Sequence, residues 1–213
     1  NVMAHNYLFS GDAETARGNY DRAIALAKSP IAVVNLSFYK LNSYLFQNDY
    51  EGALLLAQDL YNKLNHLGFT EASLNQQKAR VEFAKFLSYA NNQQKEEAYS
   101  ALNTRKNYAA AAMALMDVDE VRQRNFDAYN AQMEAWYYIL FGEYDKAEEQ
   151  LAELYPIASK IQSPSALDNY NALSGMVRLF SGDAQGSLSY FKDNINPENY
   201  QYYAYFKALA LKS

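Results

Sequence analysis

The residues able to do acid–base, nucleophilic or metal chemistry are few and poorly spaced. The two histidines, His5 and His66, have neither the i, i+4 spacing nor the nearby acidic cluster that a helical metal pair needs. Both are expected at the surface or in a groove. There is no cysteine, which removes disulfides, thiolate zinc sites, iron–sulfur clusters and a cysteine nucleophile. Carboxylates pair as Glu96-Glu97, Glu148-Glu149 and Asp117 with Asp119. Adjacent residues on a helix do not face one another, so they cannot grip one substrate. Near helix starts they instead favour the positive end of the dipole. The run Asp117-Val118-Asp119-Glu120 lacks the remaining ligands and the Gly of a calcium loop. No Gly-x-x-x-x-Gly-Lys phosphate loop or Gly-x-Gly-x-x-Gly fingerprint occurs. The expectation is a chain that is not an enzyme and holds no cofactor or metal.

Charge narrows the partners. The net charge of −5 speaks against nucleic acid, whose binding proteins carry a basic footprint. Arg105 with Lys106, and Arg122 with Arg124, form weak basic clusters expected on a solvated face. No run of about 18 apolar residues predicts a membrane span. Residue 1 is Asn rather than Met, and no basic-then-apolar leader follows, so the chain reads as a fragment of something longer. The lack of cysteine suits the cytoplasm, favoured here slightly, but also a periplasm-type compartment.

Such residues must be positioned by helices. Of 213 residues, 50% are hydrophobic and 20% charged, while Gly numbers eight and Pro four; a β-rich fold needs far more turn residues. Val34, Phe38, Leu41 and Leu45 recur at three and four, the helical period. Ser29-Pro30 and Asn196-Pro197 read as an N-cap followed by Pro at the first helical position. Asp117 with Glu120 resembles a capping box, Gly68 and Thr70 end one helix and start the next, and Ser163-Pro164-Ser165 marks another break. About nine helices in a single domain over 1–213 are expected.

The connections recur. Gly18-Asn19-Tyr20-Asp21-Arg22-Ala23, Asn48-Asp49-Tyr50-Glu51-Gly52-Ala53 and Gly142-Glu143-Tyr144-Asp145-Lys146-Ala147 are variants of one hexapeptide, with Gly182-Asp183-Ala184-Gln185-Gly186-Ser187 a weaker copy. Each reads as a bend, its aromatic residue plugging the corner between two helices. These segments resemble tetratricopeptide (TPR) repeats over about residues 3–64 and 125–212. In that family a small residue lies nine positions before the corner aromatic, Ala three after it and a bulky residue seven after. Tyr20, Tyr50, Tyr144, Ala23, Ala53 and Ala147 are accordingly packing residues. Tyr50 and Tyr144 lie 94 positions apart, where two steps of about 34 fall short. One degenerate hairpin, Glu71–Ala90 and Gln94–Leu115, is placed there, with Lys95 at the corner position.

The resemblance implies a right-handed α-solenoid of antiparallel hairpins at about 3–29, 30–67, 70–115, 117–162 and 164–195, closed by a helix over 197–212. It also implies a groove, built from residues about fifteen, twelve and eight before each corner aromatic. The first hairpin supplies His5, Leu8 and Asp12, the second Asn35, Phe38 and Asn42, and the degenerate one Arg80, Phe83 and Leu87. Tyr129, Gln132 and Trp136 follow, then Asn169, Ala172 and Met176. The partner-binding groove is thus expected at Asn35, Phe38, Asn42, Tyr129, Gln132, Trp136, Asn169 and Met176, amides pairing with an extended backbone and apolar groups holding side chains. Trp136 is either its anchor or a core Trp between long helices. Chaperone-binding members of the family carry a carboxylate clamp. The matching positions here, Leu8, Asp12, Asn42, Phe83 and Leu87, agree only at Asn42, so acidic chaperone C-termini are not expected to bind.

Two functions fit: a non-catalytic scaffold binding a protein or peptide, or a peptide- or ligand-sensing domain of a larger regulatory protein. Tyr200, Tyr202, Tyr203, Tyr205 and Phe206 give the last helix more aromatic surface than one buried face needs, which predicts weak self-association.

Overall fold

The computed structural model of the chain describes residues 2–161, 164–191 and 200–212. Among these residues every regular element is an α-helix, and there is no strand. The helices fall into two compact units, Asn1–Asp117 and Val118–Ser213. The first holds α1 (Val2–Phe9), α2 (Ala13–Ala25), α3 (Pro30–Leu45), α4 (Tyr50–Leu64), α5 (Glu71–Asn91) and α6 (Lys95–Ala114). The second holds α7 (Glu120–Leu140), α8 (Tyr144–Ala158), α9 (Pro164–Phe180), α10 (Ala184–Ser187) and α11 (Tyr200–Lys212). Among the described residues eleven helices stand where about nine are expected, five pairs and a terminal helix, down to the four-residue α10.

Cap chemistry explains most starts. Ser29 Oγ accepts from Ala32 N at 3.3 Å ahead of Pro30, where the missing proline N–H leaves no bond unmade. Thr70 Oγ1 caps α5 through Ser73 N at 3.4 Å. At α7 the cap is Asp119, two residues beyond the expected Asp117. Its extended backbone holds the carboxylate over Arg122 N at 2.7 Å. The expected Asn196-Pro197 signal lies outside the described residues.

The five bends share one backbone geometry. Gly11, Asn48, Gln93, Gly142 and Gly182 have φ of 88, 57, 59, 72 and 98°, the left-handed residue that closes a Schellman turn. The next residue in each case, Asp12, Asp49, Gln94, Glu143 or Asp183, stands at the N-cap position of the following helix, and the three Asp carboxylates accept from a backbone N–H of its first turn. Its N–H donates to the carbonyl five residues back, at Tyr7, Tyr44, Tyr89, Tyr138 or Arg178, over 2.8–3.0 Å.

This geometry corrects the first repeat. Gly18 to Ala23 lies inside α2, and the bend is Gly11-Asp12, seven residues earlier. Seven residues are almost two turns of 3.6, so a copy slipped by seven presents the same face to a sequence reader. Tyr20 is therefore no corner plug; it is the bulky residue seven past the corner position Ala13. Asp12 is no groove residue either, since its side chain accepts from Thr15 N at 3.0 Å.

With that register, all five pairs bury the same three positions. Nine before the corner stand Ala4, Leu41, Phe86, Ala135 and Gly175; three after it, Ala16, Ala53, Ala98, Ala147 and Ser187. Seven after it stand Tyr20, Ala57, Leu102, Leu151 and Phe191, and every one of the fifteen is buried. The small residues bring the two helices of a pair together. A Cβ on Gly175 would sit 2.5 Å from Phe191, so here only glycine accepts the aromatic ring.

The cores follow. In the first unit Val34, Leu41, Ala53, Ala57, Leu60, Leu64, Val81 and Ala84 form the main cluster, with Ala4, Ala16 and Tyr20 a smaller one. In the second, Ala128, Ala131, Ala135 and Ile139 of α7 meet Leu151 and Leu154 of α8 and Leu173, Met176 and Val177 of α9. First helices of successive pairs also touch, α3 on α5, then α7 on α9 and α9 on α11.

Candidate functional site

For every bend after the first, the positions fifteen, twelve and eight before its corner lie on the first helix of the pair. In the second unit the contact of α7 with α9 brings two such rows together. The floor and walls of a cavity of about 570 Å³ come from Gln132, Trp136, Ile139 and Leu140 of α7, Asn169, Ala172, Leu173, Met176 and Phe180 of α9, Tyr144 of α8 and Phe206 of α11. Gln132, Trp136, Asn169 and Met176 are thus gathered at one place. Asn169 Nδ2 donates to Gln132 Oε1 at 3.2 Å, which ties α7 to α9 at the polar end. Trp136 is half-buried, packing on the core of the unit with its remaining surface on the cavity. Tyr129, one row further out, is exposed and does not line it.

Leu140 and Phe180 were not anticipated, although each lies one turn beyond a groove position on the same face and was within reach of the helical period. Phe206, one of the aromatic residues of the last helix, lines the cavity and packs on Phe180 and Phe191, with centroids 6.0 and 6.2 Å apart. Tyr205 is exposed; the side chains of Tyr200, Tyr202 and Tyr203 lie outside the described residues. A smaller hollow of about 190 Å³ in the same unit is lined by Glu148, Tyr170, Ser174 and Arg178 among others.

The first unit arranges its groove residues differently. The Arg80 guanidinium of α5 lies over the Phe38 ring of α3, 4.3 Å from its centroid. Its Nη1 and Nη2 both donate to Asn35 Oδ1 at 3.1 Å, and Nη1 also donates to buried Gln77 at 2.7 Å. Asn35 and Phe38 therefore serve as the seat of Arg80, joined to it by hydrogen bonds to the Asn35 Oδ1 and a cation–π contact with the Phe38 ring. Asn42 is exposed, outside this cluster.

Other titratable groups have structural explanations. His5 Nδ1 meets the Tyr20 hydroxyl at 2.7 Å and its ring stands edge-on to Tyr39 at 4.8 Å, while His66 is exposed. Arg105, expected on a solvated face, is buried. It continues the inward row Ala98, Ala101 and Leu102 at helical spacing, which charge-counting along the chain does not see. Between α4, α5 and α6, Tyr61 and Tyr108 share a hydrogen bond between their hydroxyls. Lys85 and Lys78 sit 5.0 and 5.3 Å from the Tyr61 ring centroid, and Lys85 pairs with Glu82 at 2.9 Å. Burial, then the bond to Tyr108, pushes the Tyr61 hydroxyl up to about 12. Among the described residues no group of three or more His, Asp or Glu could hold a metal, and no helix is long and apolar enough to cross a membrane.

No family model, curated protein or solved structure matches the chain.

Proposed function

We propose that the chain is a non-catalytic scaffold of tetratricopeptide type that binds a peptide segment of a protein partner through the cavity of its second unit. The carrying observation is that one cavity collects Gln132, Trp136, Asn169 and Met176 from two neighbouring first helices. Its mixture of aromatic, thioether and amide groups is the composition of a side-chain pocket beside a backbone contact. The TPR reading draws support from five bends of one geometry and from the small, small and bulky positions buried around each. In this reading the pairs stack with the right-handed sense of that family. Weak self-association through α11 belongs to the same proposal, supported by the exposure of Tyr205 and Leu211.

A second reading, a domain sensing a small ligand, is favoured by the cavity volume of about 570 Å³, which falls in the range of small-molecule sites. Both readings need the cavity open. Ala172→Phe fills it from the α9 side while leaving the core cluster in place. Peptides selected on the immobilised chain should lose at least tenfold in affinity for this variant, at an unchanged far-ultraviolet helical signal. Equal affinity for both proteins would remove the cavity from the function.

A further inference from the structure

The cavity's polar groups define its ligand more narrowly than its shape does. None of the lining residues is Asp, Glu, Lys or Arg; the polar groups are the Gln132 and Asn169 amides, the Tyr144 hydroxyl and the Trp136 indole N–H. A formal charge entering would shed its water and meet no opposite charge, which is strongly unfavourable. The Gln132 amide is also oriented. Its Oε1 is held by Asn169 Nδ2, and among the described residues its Nε2 end finds no acceptor. That end carries two N–H groups and can only donate. The matching ligand group is an oxygen acceptor. Around it stand Trp136, Phe180 and Phe206 with Met176 and Leu173, rings and a thioether that favour flat or branched apolar groups. A volume of about 570 Å³ has room for two bulky groups.

We infer that the cavity recognises an uncharged ligand in which a carbonyl oxygen, accepting from Gln132 Nε2, is flanked by two bulky apolar groups. This rests on the binding role proposed above and specifies its ligand class. In a protein partner it is an internal pair of large apolar residues read through the peptide carbonyl between them; a neutral acylated small molecule offers the same chemistry. Chain ends and charged side chains are rejected.

Trp136 is the one tryptophan of the chain and lies in the wall, so its emission reports occupancy. The full chain is titrated with N-acetyl-Leu-Phe-amide, with the Leu-Phe dipeptide bearing free termini, and with an acetylated, amidated hexapeptide holding Leu-Phe at its centre. The capped dipeptide should give a saturable change, and the free dipeptide should bind at least tenfold more weakly. Gln132→Leu, checked for an unchanged melting curve, should weaken the capped dipeptide about five- to tenfold, the worth of one hydrogen bond. A hexapeptide binding tenfold or more above the capped dipeptide assigns the site to a peptide partner; equal affinities assign it to a small molecule. Equal binding of capped and free dipeptides, or no effect of Gln132→Leu on the capped one, overturns the ligand class while leaving the binding role standing. If no probe moves Trp136 emission, the binding role falls as well.

Discussion

At the scale of single residues, Tyr61 ties the first unit to pH. Its hydroxyl ionises near 12, against 10.0 for an ordinary tyrosine. From pH 10 to 12 the unfolded chain has released a proton that the folded chain keeps. Its stabilising effect is therefore complete below about pH 10 and lost as pH rises towards about 12. The urea midpoint of the chain should fall across that window, and Tyr61→Phe should flatten the fall by removing the proton in question. An equally steep fall in the variant would show that the Tyr61–Tyr108 pair does not govern alkaline stability. None of this was legible in the sequence. Tyr61 and Tyr108 stand 47 positions apart on different helices, and only packing brings them together. Arg80 and Asn35 are likewise 45 apart. The groove offsets put both on first helices, but whether they open to a ligand or close on each other is decided by side-chain reach, here by a guanidinium long enough to cross to α3.

At the scale of elements, the bends do the organising. A left-handed residue followed by an N-cap residue is local chemistry, and local chemistry can be read from a chain: Ser29-Pro30, Thr70, Gly142-Glu143 and Gly182-Asp183 end or start helices where expected, whereas α4 ends at its C-cap Asn65, three residues before Gly68. The failure at Gly18 is instructive because the hexapeptide match there was real; the near-equality of seven residues and two turns makes slipped copies look alike. The bends also differ in strain. Gln93 holds φ of 59° with a full side chain, whereas Gly142 meets the same demand at 72° without a Cβ. Gln93→Gly should raise stability by about 0.5 kcal/mol, and Gly142→Ala should lower it by about 1 kcal/mol. Both are measured by urea denaturation. A loss on Gln93→Gly would mean that the side chain, not the backbone, holds that bend.

At the scale of the whole molecule, each unit follows the same construction. Small residues let the helices of a pair close up, and the neighbouring pair covers the face that one pair leaves apolar. In the second unit the described residues of α7, α8, α9 and α11 enclose the cavity. Gln132, Trp136, Asn169, Ala172 and Met176 follow from repeat position, whereas Ile139, Leu140, Leu173 and Phe180 lie off those positions and Phe206 enters from α11. The binding role proposed for the cavity can be read at a single methyl group. Methyl-labelled methionine makes it directly observable, since the chain has five methionines and Met176 alone among them lines the cavity. With N-acetyl-Leu-Phe-amide added to the full chain, the Met176 methyl resonance should shift saturably while those of Met3, Met113 and Met116 stay in place. A stationary Met176 resonance, or equal shifts at all five methyl groups, would contradict the account.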